Sequence, residues 1–247
     1  MQIGGNNILI TGGGSGIGRA LAHRWRDLGN HVIVAGRRRE VLEETIRGRE
    51  RMSAAEVDIQ DPASIQAFAR RVIAENPELN ILVNNAGVMR FEDLTGPRDL
   101  HDAEETIVTN LLGPIRMADA FVDHLKTRPG AAIINVSSGL AFVPLKRAPT
   151  YSATKAAIHS YTVALREQLK GLVDVIEIVP PAVQTDLTPG QATRDGYMPL
   201  EAFADEVFSL LQRRPTPPEI GVERVRPLRF AEAEGRFEAT FAALSAH

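Results

Sequence analysis

The chain contains no cysteine. That excludes disulfides, thiolate metal sites and a cysteine nucleophile, and leaves the fold indifferent to its redox compartment. Nor is there a large excess of charge. A formal net charge of −3 gives no reason to expect nucleic acid or an anionic membrane as a partner. No run approaches the roughly 20 apolar residues that a membrane helix needs. The segment Met1-Gln2-Ile3-Gly4-Gly5 lacks a basic region followed by an apolar run, so no secretion signal is expected and the cytoplasm is the expected location. Asn135-Val136-Ser137 matches a glycosylation acceptor but reads as buried strand, and is set aside. The six histidines show no paired metal-ligand spacing, so no metal is expected.

What is present is ample apolar material. Of 247 residues, 44% are hydrophobic, enough for one α/β domain that buries roughly 70–75% of its unfolded surface. Short apolar runs read as strands at 8–11, 31–35, 54–57, 81–84, 131–136 and 173–179. Longer amphipathic stretches between them read as helices at 16–28, 39–47, 62–75, about 98–126 (in one or two pieces) and 151–170. Asp61-Pro62 is a cap followed by proline at the first helical position. Strands that are continuous apolar runs, separated by helices, indicate a parallel sheet covered on both faces. The expected architecture is a single doubly wound Rossmann-type domain over residues 1–247. Its sheet is mostly parallel, with six or seven strands between helix layers. Residues 185–200 are polar and rich in Gly and Pro, and read as a mobile loop at the carboxyl edge of the sheet. Pro217-Pro218 breaks the chain, and a last helix is expected over about 228–244.

Between the first strand and first helix stands Thr11-Gly12-Gly13-Gly14-Ser15-Gly16-Ile17-Gly18. Glycines there permit a tight turn and close approach of a pyrophosphate, which the helix N-terminus attracts. At the end of the second strand, where an acid would bind the ribose hydroxyl of NAD, the chain has Gly36 followed by Arg37-Arg38-Arg39. No carboxylate repels a 2′-phosphate, and arginine grips one bidentately. NADP(H) is therefore expected over NAD(H), with Arg37 as the grip. Arg39, and with less contrast Arg38, also read as a solvated helix start. Asp58 suits an adenine amino group and Ile59 the ring, although an acid there also suits a helix start. Asn84-Asn85-Ala86-Gly87 closes the fourth strand with small residues that admit a ribose.

Tyr151 and Lys155, four apart in an expected helix, share a face. A charged lysine at about 4 Å, at an effective dielectric near 20, favours the phenolate by about 4 kcal/mol. That lowers the tyrosine pKa by up to roughly three units, with desolvation opposing it. A value poised near the working pH suits general acid/base catalysis. Ser138 lies thirteen residues upstream.

Together, Thr11-Gly12-xxx-Gly16-Ile17-Gly18, Asn84-Asn85-Ala86-Gly87, Asn110, Ser138, Tyr151 and Lys155 resemble the short-chain dehydrogenase/reductase family in its compact form of about 250 residues. The match spans about residues 5 to 190. The segments Val136–Pro144, Tyr151–Ala157 and Pro180–Asp186 resemble the branch named after the oxidoreductase of the D-alanyl-lipoteichoic acid operon. The resemblance implies an NAD(P)-dependent enzyme that interconverts a carbonyl and an alcohol. It gives Tyr151 the proton transfer, Lys155 the tuning of Tyr151 and the nicotinamide ribose, and Ser138 the substrate oxygen. Asn110 is to hold a water that links Lys155 to solvent. Pro180, Val183 and Thr185 fall at the nicotinamide end of a site that also includes Gly12, Ser15, Gly16, Ile17, Gly18, Asn85, Ala86 and Gly87. A homodimer or homotetramer, paired through helices 98–126 and 151–170, is implied likewise. The chain departs from the family at Pro180-Pro181, where Pro-Gly is usual, and in lacking the glycine-rich ending after the seventh strand. Met89, Leu140, Phe142, Val143, Pro144, Leu145 and Met198 are expected to offer a small-molecule substrate an apolar pocket. Arg90, Lys146 and Arg147 read as a solvated rim or as partners for an anion. The rival reading, a nucleotide sensor on the same fold, has no need of Tyr151 and Lys155.

Overall fold

The computed structural model describes residues 1–97 and 99–246. Seven strands form one sheet: β1 Asn7–Thr11, β2 His31–Gly36, β3 Met52–Glu56, β4 Leu79–Asn84, β5 Ala132–Val136, β6 Asp174–Val179 and β7 Glu219–Gly221. Their order is β3-β2-β1-β4-β5-β6-β7, and every pair is parallel. The chain winds outward in one direction from β1 to β3 and in the other from β4 to β7. The order therefore reverses between β1 and β4, and folds of this kind bind ligands at the carboxyl ends of strands beside such a reversal.

The helices are α1 Gly16–Asp27, α2 Arg39–Ile46, α3 Pro62–Glu75, α4 His101–Ile107, α5 Gly113–Leu125, α6 Pro149–Gln168, α7 Leu200–Leu211, α8 Arg226–Arg229 and α9 Phe237–Ser245. Alternate strand residues feed two cores. Ile8 and Ile10 join Trp25 of α1 and Phe203 and Phe208 of α7. Leu9 joins Phe68 of α3 and Phe121 of α5. Each core holds an edge-on aromatic pair, Trp25–Phe208 at 5.2 Å and Phe68–Phe121 at 6.3 Å. Such offset pairs are the favoured arrangement of ring quadrupoles. As expected, Asp61 caps α3, accepting from the Ala63 N–H at 2.8 Å, with Pro62 in the first turn.

The long helical region is in two pieces, one of the two expected forms, joined by a wide π turn, Val108–Leu112, between α4 and α5; its expected start at Arg98 lies outside the described residues. Elsewhere the structure differs from the sequence reading. Helix α6 starts at Pro149, which places Tyr151 in its first turn. Helix α7 was not anticipated, although Phe203, Val207 and Leu211 bury one face of it. The expected helix 228–244 is split. The chain leaves α8 after one turn, reverses through Gly235 at φ 65°, and re-forms as α9, whose residues are all at least partly exposed. Gly235 interrupts the helical pattern because φ > 0 is natural to glycine. The segment 185–200 has internal order: Gln191–Thr193 makes one helical turn, and Val183 bridges to Met198. Among the described residues, no helix is long and apolar enough to cross a membrane.

Candidate active site

A cavity of about 480 Å³ opens at the carboxyl ends of the central strands, between the glycine loop and the start of α6. Gly12 is at φ 66°, and its N–H donates to the Ala35 carbonyl of β2 at 2.7 Å. A β-carbon on Gly12 would stand 2.8 Å from the Ala86 Cα, so the β1 and β4 loops approach as closely as glycine alone allows. Asn85 pins them together, donating to the carbonyls of Thr11 at 3.0 Å and Gly12 at 3.2 Å. Its side chain is thus spent within the protein. Ser15 precedes α1 but does not cap it, and no acid occupies the first turn. The hydroxyl and the first-turn N–H groups lie at the positive end of the helix dipole, an arrangement that suits an anion. A β-carbon on Gly16 (φ 48°) would meet the Thr185 side chain at 3.4 Å, so a side chain there would fill the gap between the loop and Thr185.

The cavity is lined by every residue assigned to cofactor binding from the sequence: Gly12, Ser15, Gly16, Ile17, Gly18, Arg37, Asp58, Ile59, Asn85, Ala86, Gly87, Tyr151, Lys155, Pro180, Val183 and Thr185. Ser138 lines it too; Asn110 does not. Arg38 joins Arg37 in the lining, whereas Arg39 turns away into an ion pair with Glu43 at 2.7 Å. Gln60, Val88 and Gln191 also line the cavity and carried no recognisable pattern in the sequence. Gln191 donates to the Val183 carbonyl at 2.8 Å and to the Thr185 hydroxyl at 3.1 Å, which fixes both residues over the cavity. The Asp58 carboxylate accepts from the Gln60 N–H at 3.0 Å, so it also serves its local turn. Ile59 packs beneath Gly113, whose β-carbon would lie 3.1 Å from the Ile59 Cδ1.

Tyr151 and Lys155 meet on one face of α6, with the ammonium 5.6 Å from the ring centroid. The electrostatic consequence differs from the sequence reading. Lys155 donates to the Val136 carbonyl at 2.9 Å. Burial pushes the Tyr151 phenol up to about 12, and its hydrogen bond with Ser138 offsets only part of that. Burial likewise pulls the Lys155 ammonium down to about 8, against the negative charge of Glu177. Desolvation outweighs the pairwise attraction because both groups are shut from water. The hydroxyl of Ser138 also accepts from the Leu140 N–H at 3.1 Å, which sets its direction at the end of β5.

Asn110 sits in the π turn, a feature often found at functional sites. Its side chain clasps the Val88 backbone, accepting from N–H at 2.9 Å and donating to C=O at 2.8 Å. This ties the β4 loop to α6 through Thr154, 3.4 Å away. None of the seven expected apolar substrate residues lines the cavity. Val143 and Met198 are buried in the protein interior, and Phe142 packs edge-on against His159 at 4.8 Å. Met89, Leu140, Pro144 and Leu145 remain half-buried. Arg90 is committed to Glu105 at 2.9 Å, and Arg147 lies over the Phe91 ring at 4.3 Å.

The atypical ending supports this site from behind. A β-carbon on Gly139 would fall 2.7 Å from Leu228 and 2.8 Å from Val225, so the C-terminal segment lies directly against the turn after Ser138. Arg229 caps the Phe142 ring at 4.4 Å.

The family described as short chain dehydrogenase matches residues 6–195. The uncharacterized oxidoreductase DltE of Bacillus subtilis (strain 168) is 38% identical over 94% of this chain and 93% of its own length. A short chain dehydrogenase from Burkholderia cenocepacia J2315, solved in complex with NADP, superposes with a TM-score of 0.85 at 28% identity, covering 99% of both chains. A serine dehydrogenase in its closed form with NADP+ superposes at 0.79 with 26% identity, covering 87% of this chain and 94% of its own.

Proposed function

The chain belongs to the short-chain dehydrogenase family, and from that premise we propose that it is an NADP(H)-dependent oxidoreductase that interconverts a small-molecule carbonyl and its alcohol. The reading rests above all on one convergence. The uncapped glycine loop, the Arg37 guanidinium and the Ser138–Tyr151–Lys155 group all face a single cavity.

These residues suit a dinucleotide. The Ser15 hydroxyl and α1 N–H groups take the pyrophosphate. Arg37, where an acid would select NAD, takes the 2′-phosphate, with Arg38 beside it. Asp58 and Ile59 border the adenine, and the small residues Ala86 and Gly87 admit the ribose. Lys155 holds the nicotinamide ribose. Pro180, Val183 and Thr185 border the carboxamide end, although Pro181 removes one N–H from that edge.

When bound, the cofactor supplies or accepts a hydride at the carbonyl carbon. Tyr151 holds the proton for the substrate oxygen. A phenol kept neutral by burial is fully protonated at pH 7, so it is loaded as the donor for carbonyl reduction and receives the proton in the reverse direction. The Ser138 hydroxyl donates to the same oxygen and polarises it. Lys155, mostly ammonium at pH 7, favours the phenolate left behind. Asn110 holds its water through the backbone of the π turn, since its side chain is committed to Val88. Ile107 and Val163, 41% and 48% exposed on α4 and α6, support pairing of those helices in a homodimer or homotetramer.

The test is a fluorescence titration of the purified protein with NADPH and NADH, followed by a panel of aldehydes and ketones with the tighter cofactor. NADPH is expected to bind more tightly, with the preference falling about 10–100-fold in Arg37→Ala, the range for a lost charge-assisted hydrogen bond. Equal or tighter NADH binding would overturn the NADP assignment. Binding without turnover of any carbonyl would favour a sensor.

A further inference from the structure

A second cluster of charge lies one turn along α6 from Lys155. His159 is four residues on, so the two side chains share a helix face. His159 Nδ1 lies 2.8 and 3.1 Å from the two carboxylate oxygens of Glu177 on β6. Glu177 is 0% exposed, and it pairs across the sheet with Asn135, itself buried and donating to the Thr162 hydroxyl at 2.9 Å. Lys155 is pinned to the Val136 carbonyl on β5, and Val136 pairs across the sheet with Ile178, the neighbour of Glu177. The ammonium and the carboxylate are thus held on the same two strands, one position apart.

The groups around Glu177 narrow what the cluster can do. From α6 come Lys155 and His159; Arg166, farther along, is spent on the carbonyls of Val175 and Pro218. From β7 comes Glu219, which Arg229 of α8 holds at 2.8 Å. The ligand atoms of His159, Glu177 and Glu219 lie within 4.8 Å of one another, a spacing that suits a metal ion. The guanidinium of Arg229 already neutralises Glu219, so the acid left to act on its surroundings is Glu177. A buried carboxylate is costly unless it is hydrogen-bonded and compensated by charge. His159 supplies the hydrogen bond, and the ammonium on that face is Lys155.

We propose that Glu177 is a positioning residue for catalysis: its buried carboxylate keeps Lys155 an ammonium at the working pH, and His159 fixes the carboxylate in place. The inference rests on the role given to Lys155 above. Its physical basis is the balance at that site. Burial draws the ammonium toward the neutral amine, and the charge of Glu177 opposes it. Without Glu177, Lys155 would lose its proton near neutrality, and with it the charge that favours the Tyr151 phenolate.

The measurement is an NMR titration of protein labelled at lysine, without cofactor. The chain has only four lysines, and Lys126, Lys146 and Lys170 are exposed, so the buried resonance identifies Lys155. Its midpoint is expected near 8 in the unaltered protein. It should fall by about one pH unit in Glu177→Gln and return most of the way in Glu177→Asp, which restores the charge. The alkaline limb of kcat/KM against pH, where the ammonium loses its proton, should move down by the same amount. A midpoint in Glu177→Gln within about 0.2 of the original would overturn the inference. If that variant does not fold, Glu177→Leu combined with His159→Leu replaces the pair by an apolar one, an exchange that buried pairs commonly tolerate, and must show the same fall. Failure of the unaltered protein to bind NADPH would instead overturn the oxidoreductase reading, and the catalytic meaning of the coupling with it. An unchanged midpoint in a protein that binds NADPH overturns the coupling alone.

Discussion

Replacing Lys155 by methionine should make the protein more stable at neutral pH while abolishing turnover. The ammonium is buried, and desolvation draws its pKa from 10.5 to about 8. The folded state therefore binds this proton less tightly than the unfolded chain does. At about 1.4 kcal/mol per pH unit, the charged lysine costs the fold about 3 kcal/mol below pH 8. The cost is relieved as pH rises from about 8 to 10.5, where the amine is neutral in both states. Methionine has similar length and no charge to desolvate. It leaves the Val136 carbonyl without the 2.9 Å hydrogen bond, a loss of about 1 kcal/mol. The expected net gain at pH 7 is about 1–2 kcal/mol. The ionisation part separates from the rest by comparing pH values: urea unfolding should show the variant's advantage about 2 kcal/mol larger at pH 7 than at pH 10. An advantage that is the same at both pH values would refute the reasoning, because it would mean that the lysine does not titrate between them. A stabilising loss of an active-site charge is the usual trade between stability and activity.

Two further outcomes are expected. Tyr151→Phe should remove turnover while leaving NADPH affinity within a few-fold, since the phenol acts on the substrate oxygen; retained turnover in a carbonyl assay, or loss of NADPH binding, would count against that role. Gly139→Ala inserts a β-carbon 2.8 Å from the fully buried Val225, overpacking that should cost about 1–3 kcal/mol and lower kcat by displacing Ser138. Thermal unfolding and kcat should both recover in part in Gly139→Ala/Val225→Ala, and no recovery would mean that the strain lies elsewhere.

Much of this architecture follows from rules that act within a few residues. Continuous apolar runs such as Ile8–Ile10 and Ile133–Ile134 require a sheet buried on both faces. Asp61-Pro62 starts a helix wherever it stands. The glycine cluster before α1, the missing acid after Gly36 and the four-residue spacing of Tyr151 and Lys155 are all properties of local sequence. So are many of the residues that line the cavity, because they follow the carboxyl ends of strands that a parallel sheet brings together, whereas Tyr151 and Lys155 reach it from α6.

What the local pattern could not contain is the surroundings of each group. The direction of the Tyr151 and Lys155 pKa values turns on how completely α6, β5 and the Ser138 turn exclude water. The commitment of Asn110 to Val88 needs a π turn that no spacing announces. Met198 and Phe142 read equally well as pocket or core until the bridge to Val183 and the contact with His159 choose. Pairing of His159 with Glu177 joins a helix to a strand eighteen residues on. Desolvation and charge pairing of this kind sum over everything packed nearby, so the amino-acid sequence determined which residues reach the site, and the tertiary structure decided their protonation, their partners and their direction.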